Sequence, residues 1–396
     1  MKPIEISNNI YWIGVNDTQT KLFEGLWMIE EEGISYNSYL IKDKKNTLID
    51  LCKEVFQEEY LDSLSSLVDL HTIDYLVVNH MEPDHSGALE AFRARAPQAT
   101  ILATQKAVEM LKAYSGITEN IRVVTDGETL SLGEKELIFR TAPMVHWPET
   151  MVTYESSSKV LFPCDAFGGY GILPNGIFDD DYADISKYER EALRYFSNIV
   201  AAFSKPVLNV ADKLAGLPIK IVAPSHGLVW RKSPQRIIDL YMKWAGYSKG
   251  KAEKAITILH GSMYGNTASA LSAAKNGLEQ AGIPFMAHDI TSTHISYILP
   301  DMWQNQGILI GVPTYEGSIF PTMASVMQMA EYKRIFSKDA AYYGSYGWGG
   351  GAMRYLRTAC ENLKWQLVDG FEFIGKPTDD DLQKVTTLAK SFALSM

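Results

Sequence analysis

The chain has 396 residues, of which 46% are hydrophobic and 21% charged, a length that predicts more than one domain and a composition typical of globular proteins. Its formal net charge of −10 disfavours nucleic acid as a partner, because binding to phosphate needs a basic surface. The three cysteines lie far apart and predict neither a disulfide framework nor a zinc ribbon. No membrane span or secretory signal is visible, so we expect a cytoplasmic protein without a membrane partner.

Strand-like apolar runs alternate with loops and a few helical patterns in the first part of the chain. The runs are YNSYLI, NTLIDL, DYLVVNH, ATILAT, ELIFRTA, MVTYES, KVLFPCD and IKIVAPSH, and ALEAFRARA is one of the helical patterns. This order predicts sheets layered with helices. The pattern changes at the polar stretch KWAGYSKGKAEK, so we predict one domain over residues 1–250 and a second over 251–396.

The second domain is predicted to be a doubly wound parallel sheet. In chain order it has the strand AITILHG, the helix ASALSAAKNGLEQAG, the strands FMAHDI and GILIGVP, the helix ASVMQMAEYKRIF, the strand AAYYGSYG and a helix from Ala352. Regular alternation of buried strands with amphipathic helices is typical of a parallel sheet with helices on both faces.

Four side chains of the types that bind metals follow the apolar run at 75–78 within six positions. They are His80, Glu82, Asp84 and His85, in the stretch NHMEPDHSGALEAF. The stretch reads as a short loop between a buried strand and a helix that Ser86 is suited to cap. Loops of this kind are held in place by the sheet and are common positions for metal sites.

Three further candidate ligands, His146, Asp165 and His226, each lie at or just beyond a predicted strand. Imidazole and carboxylate groups together suit iron, zinc or manganese. The full set of candidates exceeds the three or four protein ligands that one zinc ion takes. The sequence therefore predicts a pair of metal ions.

This pattern resembles the metallo-β-lactamase fold, whose signature is His-x-His-x-Asp-His followed by a distant His, a bridging Asp and a last His. Glu82 replaces the second His of that signature, which is the pattern of the flavodiiron proteins, a branch of the fold that binds two iron ions. The resemblance extends over nearly the whole chain. It implies an N-terminal metallo-β-lactamase-like αββα sandwich, of mixed α/β and α+β class, followed by a C-terminal flavodoxin-like sheet.

Carried over position by position, the resemblance assigns each candidate ligand to an iron. One iron would be held by His80, Glu82 and His146, the other by Asp84, His85 and His226, and Asp165 would bridge them. Glu82 and Asp165 are the catalytic candidates. A hard carboxylate in place of an imidazole adds negative charge and favours harder metals and the ferric state, so Glu82 indicates redox iron.

A second candidate site follows the strand AITILHG, where a loop of small and hydroxyl residues precedes a helix. Backbone N–H groups, hydroxyl groups and the positive end of a helix suit a phosphate, and no Gly-Lys pair of a nucleotide-hydrolysing loop follows. The loop resembles the FMN loop of flavodoxins. Two later strand ends would meet it at the carboxyl edge of the sheet. The predicted FMN-binding residues are Ser262, Met263, Tyr264, Gly265, Asn266, Thr267, Pro313, Thr314, Tyr315, Glu316, Gly317, Ser345, Tyr346, Gly347, Trp348, Gly349 and Gly350.

Two features of these loops leave alternatives open. Tyr315, Tyr346 and Trp348 are suited either to contact a flavin ring or simply to pack within the protein. Gly347, Gly349 and Ala352 also fit the G-x-G-x-x-A pattern of dinucleotide-binding proteins. That pattern belongs on the first strand-to-helix turn of such a domain, whereas here it falls late, so we favour FMN.

The resemblance implies an oxidoreductase that reduces O2 to water or, alternatively, nitric oxide to nitrous oxide. An external donor, either rubredoxin or reduced coenzyme F420, would pass electrons through FMN to the diiron site. Family members bring the FMN of one subunit to the irons of another, which implies a head-to-tail homodimer or a dimer of dimers. Trp348 and Glu82 would lie near that junction, with Glu82 as both ligand and relay.

Two other functions are weighed against this one. A zinc hydrolase fused to a flavodoxin would use Asp84 and a zinc-bound hydroxide, and would need no reductant. A pure electron carrier with a structural metal domain would not depend on Glu82 for oxidant consumption. One departure from the family is Lys21 in TKLFEGLW, which stands where many members carry a His close to the irons.

Overall fold

A computed structural model describes residues 2–396, which form two compact units. The first unit runs to Ala245 and the second covers Gly246–Met396. This division falls slightly before the boundary predicted at residue 250. No helix within residues 2–396 combines the length and the apolar character needed to cross a membrane.

The strands of the first unit form two mixed sheets and two short hairpin-like pairs. The strands are β1 (Ile4–Ser7), β2 (Ile10–Trp12), β3 (Val15–Asp17), β4 (Leu22–Phe23), β5 (Trp27–Met28), β6 (Ile34–Tyr36), β7 (Tyr39–Ile41), β8 (Asn46–Ile49), β9 (Ile73–Val77), β10 (Thr100–Ala103), β11 (Ile121–Val123), β12 (Thr129–Ser131), β13 (Glu136–Thr141), β14 (Met151–Glu155), β15 (Val160–Phe162) and β16 (Ile221–Val222). One sheet has the order β1-β2-β7-β8-β9-β10-β11, and the other has the order β12-β13-β14-β15-β16.

Six α-helices connect these strands, and a seventh follows the last of them. They are α1 (Gln57–Ser65), α2 (Pro83–Ser86), α3 (Leu89–Arg95), α4 (Gln105–Ser115), α5 (Ser186–Tyr195), α6 (Ser204–Leu214) and α7 (Pro234–Gly246). The ends of α4 illustrate how the sequence sets such boundaries. The Thr104 hydroxyl accepts the backbone N–H of Ala107 at 3.3 Å, and Gly116 ends the helix in the left-handed conformation with φ 65°.

Parallel pairing brings the chemically important strand ends together. Strands β8, β9 and β10 run parallel in one sheet, and β15 and β16 run parallel in the other. The residues that follow β8 and β9 therefore share one edge of a sheet, as do those that follow β15 and β16. All the predicted metal ligands except His146 follow one of these ends.

The second unit has a parallel five-stranded sheet and five helices. Its strands are β17 (Glu253–His260), β18 (Phe285–Asp289), β19 (Asn305–Gly311), β20 (Thr314–Tyr315), β21 (Ser318–Ile319), β22 (Asp339–Tyr346) and β23 (Gln366–Ile374). Its helices are α8 (Leu271–Ala281), α9 (Ile295–Gln304), α10 (Pro321–Tyr332), α11 (Ala352–Leu363) and α12 (Asp379–Ser395). The sheet order β18-β17-β19-β22-β23 is the doubly wound order of flavodoxin-like folds.

The predicted fold class is confirmed in both units, and the structure adds elements that the sequence patterns did not reveal. Strand β23 is an edge strand with mostly half-buried or exposed residues, so it lacks the continuous apolar run that marks a central strand. Helix α12 packs on α8 so closely that a Cβ on Gly277 would stand 2.3 Å from the carbonyl oxygen of Thr386. Gly277 therefore allows α8 and α12 to approach each other this closely.

Candidate metal centre

The loop that carries four of the predicted ligands is anchored to the ends of two parallel strands. Asp50 is buried directly after β8, and its carboxylate accepts the backbone N–H of Asn79 at 2.7 Å and the Asn79 side-chain amide at 3.0 Å. The Ser86 hydroxyl donates to the carbonyl oxygen of Met81 at 2.8 Å. These bonds fix both ends of the loop, so its side chains are held against the sheet edge.

The first group of candidate ligands brings two imidazoles and two carboxylates together. The Nε2 atom of His80 lies 3.3 Å from Glu82 Oε2 and 3.3 Å from Asp165 Oδ2. The Nε2 atom of His146 lies 3.0 Å from Glu82 Oε2 and 3.3 Å from Asp165 Oδ2. All four ligand atoms lie within 4.8 Å of one another, a spacing that admits one metal ion between them.

The second group uses the other oxygen of the same aspartate. Asp165 Oδ1 lies 2.9 Å from His85 Nε2 and 3.3 Å from His226 Nε2. Asp84 approaches both imidazoles, with Oδ1 at 3.4 Å from His85 Nε2 and Oδ2 at 3.3 Å from His226 Nε2. Asp165 therefore stands between the two groups and presents one oxygen to each.

Hydrogen bonds at the Nδ1 atoms, on the side of the ring away from the metal site, fix the orientation of two imidazole rings. The Nδ1 atom of His80 lies 2.7 Å from the buried carboxylate of Glu149, which also accepts the backbone N–H of Met81 at 2.9 Å. The Nδ1 atom of His226 lies 2.8 Å from the carbonyl oxygen of Ser35. Because both Nδ1 atoms face acceptors, the protons belong there and the Nε2 atoms turn into the site as ligands.

Aromatic rings close the site from several sides. Phe23 and Tyr36 meet the His226 ring edge-on at centroid distances of 5.6 and 5.7 Å, and Trp147 meets the His80 ring edge-on at 5.2 Å. The predicted histidine ligands are between 0% and 7% exposed. The centre is thus shielded from bulk water, which strengthens electrostatic interactions within it.

The pKa values of the histidine ligands show that the surrounding carboxylates favour a positive charge at this centre. Burial opposes protonation of His80, but its bonds to Glu149 and Glu82 outweigh burial and raise its pKa far above the usual range. In the same way, Asp165 and its carboxylate neighbours raise the pKa of His146 to about 9 and that of His226 to about 10. The carboxylates attract cations strongly enough to overcome desolvation, and a metal ion supplies the same positive charge.

Several buried atoms of the centre have no hydrogen-bond partner among residues 2–396. They are both carboxylate oxygens of Asp84, Oδ2 of Asp165, Nδ1 of His85 and Nε2 of His226. Buried polar atoms are normally paired, so this cluster of unpaired atoms beside the two groups of ligands indicates that the groups bind a further partner. Imidazole nitrogens and carboxylate oxygens are the donor set that suits iron, so the residues present fit a pair of iron ions.

The hairpin β4–β5 brings one residue to the centre that sequence reasoning missed. Glu24 is exposed as a whole, but its carboxyl group is shielded, and burial together with the charge of Glu82 raises its pKa to about 7. Trp27 Nε1–H donates to Glu24 Oε2 at 2.8 Å. The only signal in the sequence is an acidic residue in the turn FEGL, which carries no information about what it faces.

Lys21, which stands where many family members carry a His, points to solvent in this structure. Its ammonium group pairs with Glu30 at 2.6 Å, and both side chains are exposed. Glu24, in the turn of the same hairpin, interacts with Glu82 instead.

The predicted cofactor loops of the second unit all follow the carboxyl ends of parallel strands. They are the loops after β17, β19 and β22. The Thr267 and Ser345 hydroxyl oxygens lie 2.7 Å apart and tie the first loop to the third. The second and third loops meet so closely that a Cβ on Gly351 would stand 2.0 Å from the carbonyl oxygen of Gly317. The sheet therefore gathers the three loops at one edge.

The tips of these loops are open to solvent. Tyr264 is 92% exposed and Trp348 is 98% exposed, and Tyr315 and Met263 are partly exposed. Within the first loop, the Ser262 hydroxyl accepts the backbone N–H of Gly265 at 3.0 Å, and Gly265 has φ 90°, a conformation that favours glycine. The assignment of these residues to FMN stays a prediction.

Comparisons with known proteins agree with this architecture. A family model described as ODP family beta lactamase matches residues 34–227. The nitric oxide reductase of Moorella thermoacetica is 35% identical over 99% of this chain and 98% of its own length. The rubredoxin oxygen:oxidoreductase of Desulfovibrio gigas superposes with a TM-score of 0.93 at 26% identity, covering 100% of this chain and 98% of that chain. The flavodiiron protein of Giardia intestinalis superposes with a TM-score of 0.94 at 27% identity, covering 100% of this chain and 96% of that chain.

Proposed function

This chain belongs to the flavodiiron proteins, and from that premise we propose that it reduces O2 to water at a diiron centre in its first unit, with electrons stored on FMN in its second unit. The observation that carries the proposal is the arrangement around Asp165. Its two carboxylate oxygens face two separate groups of imidazoles and carboxylates, each with the donor types that iron takes.

The residues of the chain prepare this centre before any oxidant arrives. Iron bound there would supply the redox chemistry, and FMN would supply stored electrons. Glu149 and the Ser35 carbonyl hold His80 and His226 with their Nε2 atoms turned inward, so little reorientation is needed on metal binding. Phe23, Tyr36 and Trp147 limit access of water, which favours retention of a small apolar oxidant at the site.

Glu82 separates this function from zinc hydrolysis. Its carboxylate lies near His80 and His146 and adds a negative charge to the first group of ligands. That charge stabilises a more highly charged, harder ion, which is an advantage for iron that cycles between ferrous and ferric states. A hydrolase that activates water on zinc gains nothing from it.

Nitric oxide is the second candidate substrate. The relative from Moorella thermoacetica that is 35% identical to this chain is named nitric oxide reductase. The name of the structural relative from Desulfovibrio gigas, which is 26% identical, indicates O2 instead. The same set of ligands serves either oxidant, since both are small diatomic molecules that accept electrons.

We further propose an external electron donor, rubredoxin or reduced coenzyme F420, and a head-to-tail homodimer or dimer of dimers. The name of the Desulfovibrio gigas protein supports rubredoxin. Exposed apolar side chains border both candidate sites, and a second copy of the chain would cover them. They are Leu22, Leu26 and Met144 in the first unit and Met263, Tyr264, Tyr315 and Trp348 in the second. A cytoplasmic location is part of the proposal, and three buried free cysteines suit a reducing compartment.

The test is oxidant consumption by the anaerobically reduced full chain, followed with O2 and NO electrodes. The wild type is expected to consume O2, NO or both, and Glu82→Ala is expected to lose at least about 100-fold in rate while it keeps its flavin. Glu90→Ala, at an exposed position on α3, is the matched control and should behave as wild type. Unchanged consumption in Glu82→Ala, or hydrolytic turnover without a reductant, would contradict the proposal.

A further inference from the structure

The thiol of Cys164 lies beside the metal centre, and none of the predicted ligand sets includes it. The Cys164 sulfur, a ring nitrogen of His85 and a carboxylate oxygen of Asp165 all lie within 4.8 Å of one another. All three residues are at most 2% exposed, and Cys164 is a free thiol. Neither Cys52 nor Cys360 belongs to a comparable group within residues 2–396.

The local structure directs this thiol toward the centre. Cys164 has φ 55°, a left-handed conformation that a non-glycine residue adopts only when its surroundings hold it there. The hydroxyl of Ser225 donates to the Cys164 sulfur at 3.5 Å. The Nδ1 atom of His85 is buried and has no hydrogen-bond partner within residues 2–396, so this imidazole keeps a ring nitrogen that is able to bind a cation.

The type of donor atom decides which ions use the sulfur. Carboxylate oxygens suit hard ions, whereas the buried Cys164 sulfur is a soft donor that suits thiophilic ions. A thiophilic ion forms a metal–sulfur bond strong enough to replace the proton of the thiol. Zinc binding there would break the S–H bond, form a Zn–S bond and release the proton to water, with no change of oxidation state.

We propose that His85, Cys164 and Asp165 form an alternative site for a thiophilic divalent ion of the zinc class. The inference rests on the metal centre of the proposed function. The alternative site shares His85 and Asp165 with the second group of candidate iron ligands. Zinc bound through Cys164 therefore excludes iron from that group, and the sulfur makes the centre sensitive to the ratio of zinc to iron.

X-ray absorption at the zinc edge tests the proposal on the full chain loaded anaerobically with Zn²⁺ alone. The wild type is expected to show sulfur scattering at about 2.3 Å beside nitrogen and oxygen scattering at about 2.0–2.1 Å. Cys164→Ser is expected to lose the sulfur signal. Cys52→Ser removes another buried thiol and should keep it.

Competition with iron gives a second measurement. In the protein loaded with ferrous iron, the Zn²⁺ concentration that displaces half of the iron from the second group is expected to rise at least about tenfold in Cys164→Ser. Iron content after loading with Fe²⁺ alone shows that this variant is folded and separates the two proposals.

Zinc without sulfur scattering in the wild type, a sulfur signal that persists in Cys164→Ser, or no zinc binding at all would overturn the alternative site. Failure of the wild type to bind iron would instead overturn the proposed diiron centre.

Discussion

The two units differ in whether they bury or expose the polar residues of their candidate sites. The first buries charged and hydrogen-bonding side chains at strand ends, and its candidate ligands His80, His85, His226 and Asp165 are at most 2% exposed. The second has a core of apolar side chains between α8, α12 and the sheet, and it presents its candidate cofactor loops to solvent, with Trp348 at 98% exposure. The metal centre is thus organised by the protein itself, whereas the cofactor loops offer surface that a ligand or a second copy would cover.

This difference has an energetic consequence. Several buried carboxylate and imidazole atoms of the first unit have no hydrogen-bond partner within residues 2–396, and the neighbouring carboxylates raise the pKa of His226. Without a cation, the burial of these charged groups destabilises the first unit. The second unit has no comparable cluster within its described residues. Metal binding is therefore expected to stabilise the first unit selectively, and changes at one site should leave the other site intact.

The largest effect is expected from Asp165→Ala. It removes the carboxylate shared by both groups of ligands, so iron content and the rate of oxidant consumption should each fall at least about 100-fold. Bound FMN should stay at the wild-type amount, as measured by its absorbance after release. Asp212→Ala, at an exposed position on α6, is the control. Loss of both iron and FMN in Asp165→Ala would contradict the expectation that the two sites are independent.

A smaller effect is expected from Glu149→Gln. The amide can still accept a hydrogen bond from His80 Nδ1–H, but it lacks the negative charge that makes the imidazole a better ligand. Iron affinity, measured by competition with a chelator, should fall about tenfold. Equal affinity in wild type and variant would mean that the carboxylate does not support the metal.

The reciprocal change is Thr267→Val, which removes the hydroxyl contact between the first and third cofactor loops. One lost hydrogen bond corresponds to about 1 kcal/mol, so FMN affinity should fall about fivefold while iron content stays constant. Fluorescence quenching of added FMN measures this affinity in the full chain. Thr387→Val, on the exposed face of α12, should have no effect. A change in iron content would contradict the independence of the sites.

The smallest effect concerns a buried charge in the second unit. Lys338 donates to the carbonyl oxygens of Trp303 and Asn305 at 2.7 and 2.8 Å, and burial lowers its pKa to about 7. The unfolded chain keeps this proton up to about pH 10, so the native state gains stability as the pH rises from about 7 toward 10.

Lys338→Met should weaken this rise, seen as a smaller gain in Tm between pH 7 and pH 9. Lys376→Met, at an exposed position, should keep the wild-type gain. An unchanged gain in Lys338→Met would show that this lysine stays protonated in the folded unit.

The contrast between the units also explains what the sequence reveals. His80, Glu82, Asp84 and His85 are visible because metal-binding residue types cluster directly after an apolar strand. The cofactor loops are visible for a similar reason, since small and hydroxyl residues follow a buried strand and precede a helix. In both cases the signal is local in the chain, and local patterns identify strands and strand ends well.

The residues that support the site are not visible in this way. Glu149 meets His80 across 69 positions of the chain, and the partner of His226 is the backbone carbonyl of Ser35, which carries no side-chain signal. Glu24 is a single acidic residue in a turn, and its contact with Glu82 depends on how the hairpin β4–β5 folds onto the site. Long-range packing sets these contacts, and one sequence does not encode them as a readable pattern.

Elemental analysis for iron and zinc, on the full chain purified anaerobically from iron-replete cells, shows whether the first unit holds a pair of iron ions. We expect two iron ions per chain with little zinc, because Glu82, Asp84 and Asp165 provide a hard donor set with a shared bridging carboxylate. Stoichiometric zinc with little iron would contradict this expectation, and would mean that Glu82 does not select iron.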